Sequence, residues 1–222
     1  MLHLIDKRNR DQARNAALLE ESYRLRHDVY VRERGWKALE RPDGRELDQF
    51  DTPEAVYFVW ADDTRVLGGA RFIPTDKPHL MSEIFPQIAT FAPVPRRRDV
   101  WEITRMFSIR DPSGRVSRNA VIGDLLCGMF EMGLHHGLSA ISVVCDTFFL
   151  PRFLEQDIRA IPLGLPSPYP EGICIACMLP VDEAQLAAAR QARGVTDSVL
   201  FRVTGIAAQP RLSDVQAGSY VS

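Results

Sequence analysis

The sequence predicts an α/β sandwich built on a mixed, partly antiparallel sheet. Three observations carry this. Short apolar runs, one of them with a two-residue period, alternate along the chain with segments of 3.6-residue period. Two strand-like segments flank a D-D-T turn and read as a hairpin, while the others are separated by helix-like stretches. The 222 residues, 45% hydrophobic and 25% charged, suffice to bury a core without disulfide staples.

The elements follow in order. Residues 2–5 read as a short strand. Residues 14–31 read as a helix, because Leu18, Ser22, Leu25 and Val29 recur at intervals of four, three and four. Residues 32–54 show little periodicity and hold a Pro-Asp-Gly turn, so they form a long loop. A loop of that length in a compact domain is usually functional. Residues 56–61 and 66–73 form the hairpin. Residues 82–88 read as a short helix with Ser82 as N-cap. Trp101, Ile103, Arg105, Phe107 and Ile109 alternate through a strand over 101–109. Residues 120–137 carry the strongest helical pattern, through Val121, Leu125, Met129 and Phe130, and end at Gly137. A strand over 139–145, a short helix over 150–156 and a long strand over 172–179 come next. A helix over 182–193 is capped by Asp182 and stopped by Gly194. Residues 1–222 read as one domain whose tail is loose after about residue 205.

Charge and composition exclude several classes. The balance is 27 − 29 = −2, which speaks against nucleic acid as the main ligand. The opening M-L-H-L-I-D-K-R breaks into charge after five residues, so no signal peptide is expected. No stretch is apolar for long enough to predict a membrane span. Four cysteines are too few for a disulfide framework, and a cytoplasmic protein with reduced thiols is expected. Cys174-Ile-Ala-Cys177 has no second pair at zinc spacing, so no metal site is expected either.

The chemistry gathers around the long loop. Arg26, Trp36, Asp48, Asp51, Arg71, Glu102 and Arg105 each have an ordinary reading alone: a solvated charge, a packing anchor, a turn acid. Arg71 and Arg105 resist it, since both sit mid-strand among apolar neighbours. A buried guanidinium needs carboxylate partners. Asp48, Asp51 and Glu102 are the obvious ones. Glu102 and Arg105 are three apart, so in a regular strand they face opposite sides. They share a site only across a β-bulge, which is therefore predicted near 103–105.

The segments R-L-R-H-D-V-Y-V, E-R-G-W, R-E-L-D-Q-F-D, G-G-A-R-F-I-P-T, S-E-I-F-P and W-E-I-T-R-M-F resemble, in order and spacing, the acyl-homoserine lactone synthases. These are the autoinducer synthases of bacterial quorum sensing, and the resemblance covers about residues 1–180. The family's shared positions fall on Arg26, Tyr30, Trp36, Asp48, Asp51, Arg71, Glu102 and Arg105. Tyr30 stands where many members have Phe. The resemblance implies a three-layer α/β/α sandwich like the GCN5-related acyltransferases, with a mixed, splayed central sheet. The stretch R-D-P-S-G-R-V-S-R-N-A lacks the R/Q-x-x-G-x-G/A loop of ordinary acetyltransferases, so the resemblance is to the synthase branch.

It further implies S-adenosylmethionine and an acyl thioester as substrates, and no cofactor. Glu102 is the expected base, because an α-amino group has a pKa of about 7.7–8.0 and must lose a proton before it attacks. Arg105 and Asp48 are expected to act beside it. Contacts to S-adenosylmethionine are expected from Arg26, Tyr30, Trp36, Asp48, Asp51, Arg71, Arg105 and Phe107. Asp48 and Asp51 either hold the substrate amine or pair with Arg71. An acyl pocket is expected from Ser82, Phe85, Met106, Cys145, Thr147, Phe148 and Phe149, with Met129 read as core. The stretches C-D-T-F-F-L-P-R-F and P-L-G-L-P resemble a subgroup that takes branched or aromatic acyl-CoA rather than acyl carrier protein. The basic run Arg96–Arg98, with Arg110, Arg115 and Arg118, is either a solvated surface or a contact for CoA phosphates or a carrier protein. The alternative function is an N-acyltransferase of this fold that uses another amine.

Overall fold

In the computed structural model, which describes residues 1–7 and 13–199, eight strands form one open sheet. The strands are β1 (Leu2–Asp6), β2 (Val56–Ala61), β3 (Val66–Pro74), β4 (Val100–Ser108), β5 (Ala140–Asp146), β6 (Ile161–Pro162), β7 (Ser167–Tyr169) and β8 (Gly172–Pro180). Their order is β1-β2-β3-β4-β5-β8-β6, with β7 also on β8. All pairs are antiparallel except β4–β5, which is parallel. The helices are α1 (Ala13–Arg26), α2 (Leu80–Glu83), α3 (Arg118–His135), α4 (Phe149–Leu154) and α5 (Glu183–Arg193).

The sheet is covered on both faces. Leu19 and Tyr23 of α1 pack on Tyr57, Val59 and Ile73. On the other face Leu125 and Phe130 of α3 and Leu186 of α5 pack on Phe58, Phe72, Ile103 and Ile141. Successive residues of β2 therefore enter different cores, and all six are buried. That is why β2 reads V-Y-F-V-W-A with no polar face. Met129 lies in the α3-side core.

Two irregularities make the site. The β4–β5 pairing runs from Val100↔Ala140 to Ile103↔Val143 and stops there, although β4 continues to Ser108 and β5 to Asp146. Beyond Ile103 the two strands diverge and open a cleft. The second irregularity lies on the same stretch. Gly69 faces Phe107 while Arg71 faces Thr104, so β4 carries one extra residue between Thr104 and Phe107. The predicted bulge thus sits at Arg105–Met106, the far edge of the expected window. Arg105 has φ 54°, in the left-handed region. That conformation costs a non-glycine residue about 1–3 kcal/mol.

Several sequence expectations are corrected. The first helix ends at Arg26 and continues as a wider π-helical turn over His27–Glu33. Its buried face is Leu19, Ser22, Tyr23 and Arg26, whereas Leu18 and Leu25 are only half-buried. The buried Arg26 guanidinium sets the helix rotation, and the extra residue in the wide turn brings Val29 and Tyr30 inward. Ser82 is not an N-cap: α2 starts at Leu80 after His79, and the Ser82 hydroxyl accepts the His79 N–H at 3.1 Å. Strands β6 and β7 escape detection because two and three residues carry no period. The strongest helix starts two residues earlier than expected, where Ser117 caps α3 by accepting the Ala120 N–H. Asp182 caps α5 and Gly194 ends it at φ 64°. The expected loose tail after residue 205 lies outside the described residues.

Candidate active site

Three arginines and three carboxylates close into a ring beside the cleft. Arg26 makes two hydrogen bonds to Asp51, at 2.8 and 2.9 Å. Asp51 also meets Arg71 at 2.8 Å. Arg71 donates to both oxygens of Asp48, at 2.5 and 3.0 Å. Asp48 accepts from Arg105 at 2.8 Å, Arg105 donates to Glu46 at 3.1 Å, and Glu46 returns to Arg26 at 2.5 Å. All six groups are at least nine-tenths buried. Burial alone would raise the Asp48 and Asp51 pKa values, but the Arg71 guanidinium and its neighbours outweigh it and hold both carboxyls below the usual range. Three positive and three negative charges cancel, which is what lets six ions stay buried.

The ring bears on one open alternative and corrects one expectation. Asp48 and Asp51 pair with Arg71. Glu102 is not the arginine partner that the sequence suggested; Glu46, which the sequence reading passed over, takes that place. The loop is thereby pinned. Residues 46, 48 and 51 fasten it to α1, β3 and β4, and the left-handed Arg105 turns its guanidinium toward the same acids.

Glu102 stands apart, fully buried at the fork of the sheet. Its two oxygens accept the N–H groups of Leu80 and Met81 at the start of α2, at 2.7 and 2.8 Å. Burial pushes its pKa up to about 7, and the two N–H donors only partly offset this. A carboxylate that titrates near neutrality suits general-base work.

Aromatic rings close the mouth of the cleft. Trp36 lies against Tyr30 with centroids 4.9 Å apart, and Arg105 sits 5.5 and 5.7 Å from the Tyr30 and Trp36 rings. The Tyr30 hydroxyl donates to the Met106 carbonyl at 2.9 Å, a bond that Phe at this position cannot make. Phe107 packs with Val29 and Tyr30. Across the cleft, Tyr169 meets Trp36 and Phe85 edge-on and donates to Asp146 at 2.6 Å. Arg34 reaches Asp146 at 3.6 Å. Tyr169, Arg34 and Asp146 join the two halves of the mouth; as ordinary surface residues they gave no sequence signal.

The expected acyl-pocket residues are spread over both sides of the fork. Phe85 packs with Val144 and Tyr169 on the α2 side, and Ser82 is occupied within α2, 2.8 Å from Glu83. Met106 packs with Val143 and Phe153 against the α3-side core. Strand alternation places Cys145 on that side too. Phe148 and Phe149 lie past the end of β5. They bracket the start of α4, pair at 4.4 Å beneath Arg152, and leave Phe148 half-exposed. Thr147 tethers this turn through its N–H to the Ile173 carbonyl.

Comparison with known proteins agrees with this geometry. The family model described as autoinducer synthase matches residues 10–189. The isovaleryl-homoserine lactone synthase of Bradyrhizobium diazoefficiens is 39% identical over 168 residues, covering 75% of this chain and 74% of that protein. A CoA-dependent acyl-homoserine lactone synthase, BjaI, solved with SAM and isopentyl-CoA and also with MTA, superposes with a TM-score of 0.83 at 34% identity, over 98% of this chain and 97% of that one. An acyl-CoA N-acyltransferase from Pseudomonas aeruginosa shares the fold at a TM-score of 0.54 and 12% identity, over 81% of this chain and 98% of that one. The family match spans most of the chain and includes the charge ring, the bulged strand and Glu102, so the chain belongs to the autoinducer synthase family.

Proposed function

We propose that the chain is a CoA-dependent acyl-homoserine lactone synthase that joins S-adenosylmethionine to an acyl group and releases methylthioadenosine. The observation that carries this is Glu102: a buried carboxylate titrating at about 7, at the point where β4 and β5 part. The likeness to BjaI, whose structures hold SAM, isopentyl-CoA and MTA, supports the choice of both substrates.

The reaction runs as follows. The substrate ammonium gives a proton to Glu102 and becomes a neutral amine. Its nitrogen attacks the thioester carbonyl carbon, the C–S bond breaks, and the remaining extra proton on nitrogen passes to the departing sulfur, so CoA leaves as the thiol. Main-chain N–H groups at the Arg105–Met106 bulge supply donors for the charge that develops on the carbonyl oxygen. An oxygen of the substrate carboxylate then displaces methylthioadenosine from the γ-carbon. The C–S bond breaks, the sulfonium becomes a neutral thioether, and the lactone closes. The balanced ring has no net charge to offer a cationic substrate. Trp36 and Tyr30 therefore provide the ring faces that favour the sulfonium, a contact worth about 0.5–2 kcal/mol. No step needs a metal or cofactor.

Incubating the purified chain with S-adenosylmethionine and acyl-CoA, and following methylthioadenosine and lactone by mass spectrometry, tests the assignment. Amide formation without methylthioadenosine would make it an N-acyltransferase. Trp36→Ala is expected to raise the KM for S-adenosylmethionine far more than that for acyl-CoA, since Trp36 stands with Tyr30 and Arg105 on the loop side. A larger change for the acyl donor would refute that division of the site.

The acyl group is short and branched or aromatic in this reading. Met106, Val143 and Phe153 crowd the α3 side of the fork. Phe148 and Phe149 contribute only at the rim. Isovaleryl-CoA or an aryl-CoA should therefore give a higher kcat/KM than octanoyl-CoA or octanoyl carrier protein. A preference for long straight chains on carrier protein would overturn the acyl assignment and leave the synthase reading intact.

A further inference from the structure

Ser142 is a second polar group at the fork. In the parallel register it lies directly opposite Glu102, one pair before the strands part. Directly paired residues of neighbouring strands project to the same face, and the strands are about 4.8 Å apart. Ser142 is fully buried. Its neighbours on that face are apolar: Met178 across β8, and the cluster of Met81, Val144 and Ala176. Its hydroxyl has no hydrogen-bond partner among the described residues, although Glu102 stands beside it with lone pairs beyond those taken by Leu80 and Met81. A buried hydroxyl left unpaired costs free energy that alanine would avoid. The other face of β5 is uniformly apolar here, so neither packing nor solubility calls for serine.

We propose that Ser142 is a positioning residue for the deprotonation of the substrate amine. Its hydroxyl and the Glu102 carboxylate together hold one water. That water takes the proton from the ammonium and passes one of its own to Glu102, which becomes a neutral acid while Ser142 stays unchanged. The proposal rests on the synthase reading above. The charged groups that reach Glu102 are Arg71 of β3 and Asp48 of the loop. The α2 segment brings main-chain N–H groups and, at its start, the His79 ring; β5 and β8 bring uncharged Ser142 and Met178.

The test is the pH dependence of Ser142→Ala. At pH 7 the substrate amine is mostly protonated, and kcat should fall about tenfold, the worth of one hydrogen bond to the relay. The KM values for both substrates should stay within twofold of wild type. At pH 9 the amine is largely neutral in solution, with a reference pKa of about 7.7–8.0, so the defect should shrink below threefold. A purely structural role would give the same defect at both pH values, and that result overturns the proposal, as does wild-type kcat at pH 7. Ser142→Thr, which keeps the hydroxyl, should recover most of the pH 7 rate; a Thr variant that folds but matches Ala also overturns it. A wild-type chain inactive with both substrates refutes the synthase reading, and this proposal with it.

Discussion

Glu102→Gln should slow lactone formation by about 10²–10⁴-fold, the range for loss of a general base. The substitution keeps side-chain length and removes the proton acceptor. In the wild type the rate should climb through pH 7 as Glu102 ionises, because burial has moved its pKa from 4.5 to about 7. The variant should lose that limb. Stability supplies a second check. The folded state holds the Glu102 proton more tightly than the unfolded state does. The associated stability is full below pH 4.5 and is lost as pH rises through about 7. The wild-type melting temperature should therefore fall across that window more steeply than that of the variant. Asp48 and Asp51 shift the other way and act below the window. A folded variant with near wild-type turnover removes Glu102 as the base. A variant that is slow but retains the pH limb assigns that limb to another group.

Much of this architecture is written locally in the chain, and the parts that are not share a cause. β2 and β3 are legible as unbroken apolar runs on either side of a turn signal, and α3 as a long stretch of 3.6-residue period. The bulge is legible by a different route: Glu102 and Arg105 cannot both matter in a regular strand, so the conflict itself points to an irregularity. Its position is off by a residue because alternation says only that a slip occurs, while the register of Gly69 and Arg71 says where. Glu46 is illegible for want of any local signal. It lies in a loop among arginines and acids, and only the convergence of α1, the loop and β4 shows which acid is buried. The arginine partners suffer the same limit. Sequence says that Arg71 and Arg105 need carboxylates; the choice of Glu46 over Glu102 depends on α2 offering two N–H groups that claim Glu102 first. Phe148 and Phe149 lie past the end of β5, at the start of α4, where no strand period says which way they face.

Asp48→Ala should destabilise the protein strongly. Asp48 serves two guanidiniums at once, Arg71 through both oxygens and Arg105 through one. Removing it leaves those two charges buried with only Asp51 and Glu46 to share. Breaking a buried pair by deleting one partner costs about 3–5 kcal/mol, because the stranded charge cannot reach water. For a chain of this size each kcal/mol lowers Tm by about 2–4 °C, so the melting temperature should drop by on the order of 10 °C. Asp43 provides the control. It meets Arg45 at 2.8 Å, the same separation as Asp48 and Arg105, but both partners are about one-third exposed. Distance is therefore constant between the two sites and burial is the variable. Asp43→Ala should melt with the wild type, since water replaces the lost partner. The Asp48 variant should also bind S-adenosylmethionine poorly below its melting point, because the loop that carries Trp36 loses one of its ties to each of β3 and β4. Equal melting temperatures for the two variants would mean that the ring is only a set of close contacts and not a charge-balanced unit that holds the loop.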